Sequence, residues 1–363
     1  MRVGIVGVGL IGGSLGLALR RFGGADAVVG VVPTPEEGQQ AQKLGAVDAW
    51  SVTPEILAGC ELVVLATPVE VILPALERAL PHLDPEATVT DVGSIKATIC
   101  REAQRLLAPT GQPFVGGHPM AGSEKGGVEE ADPYLFQHAV YVLCPPADHP
   151  RRAEGVARVR QLVAAVGAEA VELDPEEHDG LVAAVSHLPH LVAAALVLSL
   201  ENRPSPWTDR LAAGGFRDTT RIASGNPRLW REILLGNRAA VLEQVASFRR
   251  ALARLAQALE QTDGEGLEGL LAVAARRRAQ VTANARGLLA PHPEVIVRVP
   301  DQVGAIHRVT GILADAGINL ADIEILRVRE GEGGSLRLAL ESEADRDRAC
   351  RLLEAAGYWA RSR

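Results

Sequence analysis

The chain has 363 residues, 47% hydrophobic, 23% charged and only 3% aromatic, with a net charge of −8. At about 100–200 residues per domain, this length asks for two or three domains that each bury a core, and the composition excludes disordered, fibrous and disulfide-scaffold classes. The acidic balance argues against nucleic acid or an anionic membrane as a partner, because both need a basic face. Four cysteines, Cys60, Cys100, Cys144 and Cys350, stand far apart without zinc-site spacing and suit a reducing cytoplasm. No signal-like segment precedes the first apolar run, and the longest apolar stretch, residues 191–200, is too short to span a bilayer. A soluble cytoplasmic protein is the expectation. Lysine is rare: only Lys43, Lys96 and Lys125 occur.

Residues 1–173 alternate short apolar runs (3–6, 28–32, 62–66, 88–92, 114–115, 140–143 and 170–173) with helical stretches such as 71–83, 96–107 and 151–166. Strands alternating with helices predict right-handed βαβ units and a doubly wound, mostly parallel sheet of α/β class. From Asp174 to about Leu289 no strand is evident, and the segment reads as an all-helical domain over residues 174–290. Asp174, Pro175, Glu176 and Glu177 mark a helix start, with Asp as N-cap and acids near the positive end of the dipole. Residues 181–200 are apolar nearly all round, which calls for burial between helices or in a subunit interface. After Pro291, His292 and Pro293 the pattern becomes βαββαβ over residues 291–363, a ferredoxin-like domain.

Gly7, Gly9 and Gly12 spell GxGxxG directly after the first strand. Gly7 permits the tight turn, Gly9 lets backbone approach a pyrophosphate, and Gly12 lets helix and strand pack closely. The expected cofactor contacts are Gly7, Gly9, Leu10, Ile11 and Gly12, joined by Thr67 and Pro68 after the strand at 62–66. The second strand ends at Val32, Pro33 and Thr34 with neither the acid that usually holds a ribose 2′-OH nor an arginine for a 2′-phosphate. Glu36 and Glu37 follow and would repel a phosphate, so NAD is expected, with NADP left open.

Three clusters fall where an α/β site should lie. Asp91-to-Lys96 (DVGSIK) and Gly117-to-Lys125 (GHPMAGSEK) each follow a strand, and the helical domain holds SHLPH at 186–190 and FRDTTR at 216–221. Ligands of open parallel sheets bind beyond the strand carboxyl ends. Together with the GxGxIGGS opening, these motifs closely resemble the prephenate/arogenate dehydrogenase family across the whole chain. Residues 301–306 (DQVGAI) and 316–320 (AGINL) resemble an ACT regulatory domain.

The resemblance implies oxidative decarboxylation of prephenate to 4-hydroxyphenylpyruvate, with hydride passing from ring C4 to the nicotinamide and no metal. His118 matches the family's catalytic histidine, which takes the C4 hydroxyl proton, and Ser94 is positioned to hold that hydroxyl and orient His118. Arg221 matches the carboxylate-binding arginine and His190 the second substrate-contacting histidine, while Glu124, beside His118 in the motif, could polarise the site. The resemblance further implies a homodimer built on the helical domain. It also implies feedback by tyrosine through the loop of Gly304 and Ala305, with Asn319 receiving the effector's polar end.

Blander readings stand beside these. His187 and His190 share one helix face, and one of them could be a core histidine; Arg221 or Arg217 could simply pair with Asp218; Glu124 could cap a turn. Lys96 and Lys125 could be solvated loop lysines, and His178 reads as no more than part of its helix's first turns. The competing functions are arogenate oxidation, another hydroxyacid dehydrogenase, and a non-catalytic NAD- and amino-acid-binding regulator. The lack of any lysine after Lys125 argues against lysine-dependent hydroxyacid dehydrogenases, and the Ser94, His118 and Arg221 set argues against the regulator.

Overall fold

The computed structural model describes residues 1–122, 126–202, 205, 207–285, 292–329 and 333–362. The chain divides into two compact units, Met1–Arg254 and Leu255–Arg363. In the first, β1 (Arg2–Val6), β2 (Ala27–Val31), β3 (Ala49–Ser51), β4 (Leu62–Leu65), β5 (Thr88–Asp91), β6 (Phe114–Pro119), β7 (Val140–Cys144) and β8 (Glu169–Glu172) form one sheet in the order β3-β2-β1-β4-β5-β6-β7-β8. Every pairing is parallel except β6–β7. The three-residue β3 escapes the sequence reading because so short a strand shows no period of its own.

The alternation of the central strands explains why both faces are covered. Val3, Ile5, Leu62 and Val64 point into one core, with Leu15 and Leu19 of α1 (Leu10–Arg21). Their neighbours Val6, Val63 and Leu65 point into the other, with Ile72 and Leu76 from one helix and Ile99 and Ala103 from another. Successive residues of a strand face opposite ways, so a run apolar at every position is buried on both sides. The helices of this half are α2 (Pro35–Lys43), α3 (Val69–Ala79), α4 (Ala97–Leu107) and α5 (Arg152–Ala165). Strand order reverses between β1 and β4, which places the loops after Val6 and Leu65 at the crevice where such sheets bind ligands.

Between β8 and residue 285 the described chain is helical: α6 (Pro175–Val182), α7 (Leu188–Ser199), α8 (Thr208–Leu211), α9 (Gly214–Thr220), α10 (Pro227–Gly236), α11 (Arg238–Glu260) and α12 (Gly264–Ala285). Asp174 caps α6, its carboxylate accepting from the Glu176 and Glu177 N–H groups at 3.0 and 3.4 Å. A π turn, Ala183–His187, joins α6 to α7. The helical run Pro175–Ser199 is therefore 25 residues, long and apolar enough by composition to cross a bilayer, longer than the stretch read from sequence. Its buried His178, Asp179, His187 and His190 are the polar residues from which the site below is built.

In the second unit, β9 (Glu294–Val299), α13 (Ala305–Asp315), β10 (Leu320–Arg329), β11 (Gly333–Leu340), α14 (Glu343–Ala355) and β12 (Ala360–Ser362) give the βαββαβ order. The sheet is antiparallel, ordered β10-β11-β9-β12. Val295, Val297, Leu336 and Leu338 meet Val309, Leu313 and Leu353 in its core.

Candidate active site

The cofactor cleft is built by the glycines after β1. Gly7 has φ +91° and donates to Val31 O at 2.9 Å, a turn that a side chain would strain. A Cβ on Gly12 would lie 2.0 Å from Gly7 O, so helix and turn can approach only without one. Gly9, the N-cap of α1, has open space where a Cβ would project and offers no side-chain cap, which leaves the first-turn N–H groups facing the cleft. The cleft holds about 530 Å³ and takes in Val6–Gly9, Val31–Pro33, Glu37 and Ala66–Pro68. The Thr67 hydroxyl is buried without a hydrogen-bond partner among the described residues. An orphan hydroxyl, bare helix N–H groups and a glycine-shaped floor fit a dinucleotide. Arg78 of α3 also lines the cleft, a guanidinium that inspection of the β2 tip alone does not find.

One carboxylate organises the neighbouring strand ends. Asp91 closes β5 and is fully buried. It accepts from the Gly93 N–H at 2.9 Å and the Gly117 N–H at 3.0 Å, and it forms an ion pair with Lys96. The Lys96 ammonium also donates to Gly117 O at 2.8 Å and is itself fully buried, so it is no solvated loop lysine. Asp91 thus ties the DVGSIK loop to β6 immediately before His118. A Cβ on Gly117 would lie 2.4 Å from Asp91 O, which explains the glycine.

His118 sits on β6 and is half-buried. Its Nδ1 lies 2.8 Å from His178 Nε2, and His178 Nδ1 lies 2.8 Å from Asp179 Oδ1. Asp179 also accepts the N–H groups of Lys96 at 2.7 Å and Ala97 at 2.9 Å, so it caps α4 from 82 and 83 residues away. His178 is therefore a buried link and not merely part of a helix turn. Asn237 donates to Asp179 O at 2.8 Å and lies 3.3 Å from His187 Nδ1. Gly122, after the same strand, would bring a Cβ within 3.9 Å of Ile11, so the segment following His118 reaches the opening of α1. Ser94 makes no hydrogen bond among the described residues, and the partner that orients His118 here is His178.

The helical wall carries the remaining candidates. His190 is buried, its ring stacked on Trp230 at 3.6 Å and 11°, with Nδ1 lacking a partner among the described residues. His187 meets the same indole edge-on at 6.2 Å. Gly225 leaves room for this stack, since a Cβ there would lie 2.5 Å from Trp230 Nε1. Arg221 opens the short turn Arg221–Ser224, is exposed, and forms no ion pair with Asp218 among the described residues. Glu124 and Lys125 lie outside the described residues. Gly304, with φ +80°, N-caps α13, whereas Asn319 donates to Glu341 at 2.7 Å.

Burial, reinforced by His178, Lys96 and His187, holds the His118 pKa well below the usual imidazole value, so its ring is neutral near pH 7. Burial lowers His187 to about 4, opposed by Asp179, and burial also lowers His190.

A glycine-cradled cleft at the switch point and a histidine held at the end of a neighbouring strand fit an oxidoreductase that uses a dinucleotide. Family models confirm the class in chain order: the prephenate dehydrogenase nucleotide-binding domain matches residues 15–172, the prephenate dehydrogenase dimerization domain 174–273, and the ACT domain 294–356. The chain belongs to the prephenate dehydrogenase family, and its first domain is that family's nucleotide-binding domain. It is 38% identical to a prephenate dehydrogenase of Bacillus subtilis over 97% of this chain and 95% of that one. Among solved structures, a prephenate dehydrogenase from A. aeolicus in complex with hydroxyphenyl propionate and NAD+ is 32% identical, with a TM-score of 0.72, over 77% of this chain and 98% of that one. A Synechocystis arogenate dehydrogenase is 35% identical, with a TM-score of 0.70, over 77% of this chain and all of that one (100%).

The histidine shifts have a consequence for stability. The unfolded chain protonates its histidines near pH 6.5, whereas folded His187 resists protonation down to about 4. The unfolded state therefore binds more protons in that window, and stability falls with falling pH by up to about 1.4 kcal/mol per unit for each such group. Urea titrations from pH 7 to 4 should show His187→Asn with a shallower loss than the parent chain. Equal slopes would mean that His187 titrates normally.

Proposed function

We propose that this chain oxidises prephenate to 4-hydroxyphenylpyruvate and CO2. The observation that carries the reading is the neutral His118 ring, held by the Asp179–His178 pair on the strand end that leads to Ile11. NAD, when bound, accepts the hydride from ring C4. His118 takes the C4 hydroxyl proton as that carbon becomes carbonyl-like. Loss of CO2 then returns the electron pair to the ring, and His118 gives the proton back to the phenolate oxygen, so the step needs no net base. A neutral imidazole is the required starting state, and the depressed pKa supplies it at neutral pH. Ser94, which makes no hydrogen bond among the described residues, is proposed to bond the same hydroxyl.

The substrate's two carboxylates call for fixed positive charge and directed donors. Among the described residues, exposed Arg221 pairs with no carboxylate and the Nδ1 of buried His190 has no hydrogen-bond partner. Glu124 is proposed, from the motif, to border the same site. Glu37 in the cofactor cleft supports NAD over NADP, since a 2′-phosphate would meet its carboxylate. Residues 174–290 are proposed as the substrate and dimerisation domain, which the exposed Leu196, Val197 and Leu198 on α7 support. Arogenate oxidation is the second reading, supported by the likeness to the Synechocystis enzyme.

His118→Asn should lower kcat by about 10²–10⁴-fold with NAD affinity unchanged. Arg221→Ala should raise KM for prephenate by roughly 10²-fold, and Arg221→Lys should recover only part, because a point charge does not reproduce the guanidinium fork. Wild-type turnover in His118→Asn would remove it from the chemistry.

Residues 291–363 are proposed as an ACT domain that carries tyrosine feedback. The left-handed Gly304 at the start of α13 supports this, since backbone N–H groups there can meet an effector carboxylate. Asn319 would have to exchange its Glu341 contact to take part. Gly304→Val should keep basal activity and weaken tyrosine inhibition, read as a raised half-inhibitory concentration. Full inhibition in the variant would place the effector elsewhere.

A further inference from the structure

We infer that His178 is a positioning residue that sets the tautomer of His118, keeping the proton on Nδ1 and leaving Nε2 bare to act as the base. The inference rests on the proposed role of His118 and adds the group that prepares it.

The argument is a count of donors and acceptors along one buried chain. Asp179 receives two backbone N–H groups, from Lys96 and Ala97, and these can only donate. Its carboxylate sits at the N-terminus of α4, where the helix dipole favours the ionised form. An ionised carboxylate only accepts, so the 2.8 Å contact fixes the proton of His178 on Nδ1. A neutral His178 then presents a lone pair at Nε2. The 2.8 Å contact from there to His118 requires a donor, and the only one available is the Nδ1–H of His118. The lone pair of His118 is left on Nε2.

The one way to reverse this order is a doubly protonated His178, which would donate to His118 and force the proton of His118 onto Nε2. His178 is 1% exposed and both of its ring nitrogens are engaged, by Asp179 and by His118, so the two orders differ in which nitrogen of His118 carries the proton, and that is what the test reads. The arrangement has the logic of a carboxylate orienting a catalytic imidazole through its distal nitrogen, here with a second imidazole inserted between them. When His118 takes a proton, His178 and the charge of Asp179 stabilise the resulting imidazolium from behind.

The test reads the tautomer directly in the full chain without substrate, so it stands apart from the choice of substrate. With 15N-labelled histidine, ring-nitrogen NMR shifts distinguish protonated from bare nitrogens, and the His118 signals are those lost in His118→Asn. The wild type should carry the His118 proton on Nδ1. His178→Phe removes the acceptor and should move that proton to Nε2 or to a mixture, lowering kcat for prephenate by about 10–100-fold with KM within about threefold. His178→Gln, which keeps a carbonyl acceptor near the Nε2 position, should restore the Nδ1 proton and most of kcat. A wild-type His118 protonated on Nε2 would overturn the inference, as would a folded His178→Phe chain with the wild-type tautomer and rate. Should His178→Phe fail to fold, the wild-type and His178→Gln tautomers decide. An enzyme inactive on prephenate but with Nδ1–H on His118 would defeat the functional reading alone.

Discussion

The buried carboxylate of Asp91 is the constraint on which the site depends. It ends β5, satisfies the Gly93 and Gly117 N–H groups and pairs with Lys96, all without exposure. Removing one partner of such a pair leaves a charge in low dielectric at a cost of about 3–5 kcal/mol, so neither residue varies alone without consequence. The geometry gains more than stability from it. The same few atoms fix the loop that carries Ser94, the start of α4, and the strand position immediately before His118. Lys96 joins the two halves of the site: its ammonium holds Gly117 O, and its backbone N–H binds Asp179 of the helical segment.

The helical segment answers with a run of polar residues buried in an otherwise apolar rod. Along Pro175–Ser199, His178 and Asp179 face the sheet, and the π turn Ala183–His187 then resets the phase ahead of Pro189. Pro189 has no N–H, so it sits without penalty in the first turn of α7. π turns recur at functional sites because they shift which face a side chain presents. Here the segment delivers His187 and His190 to the two faces of contact with Trp230.

Much of this was legible from local sequence. GxGxxG after an apolar run, the capping pattern at Asp174 and the βαββαβ order at the end all follow from short-range rules, and they located the cleft, the helix start and the small domain. Residues 117–122 and 186–190 likewise marked two elements that the fold brings together. What escaped is what only long-range pairing creates. The His118–His178 contact spans 60 residues and the Asp179 cap of α4 spans 82 and 83, and no periodicity encodes either. His178 looked ordinary because its neighbours Glu176 and Glu177 belong to a solvent-facing first turn. A usable signal existed: the phase set by the Asp174 cap places 178, 179 and 182 on one buried face, where two polar residues demand partners. Arg78 was missed for the same reason, since it reaches the cleft from α3 and not from the β2 tip.

The central claim is that a neutral His118 serves the oxidation of prephenate by NAD. The most direct test supplies the purified full chain with prephenate or arogenate, each with NAD or NADP, and follows reduced nucleotide at 340 nm together with released CO2. The account predicts equal amounts of NADH and CO2 from prephenate, with NAD used in preference to NADP. Nucleotide reduction with arogenate alone, or reduction without CO2, would contradict it.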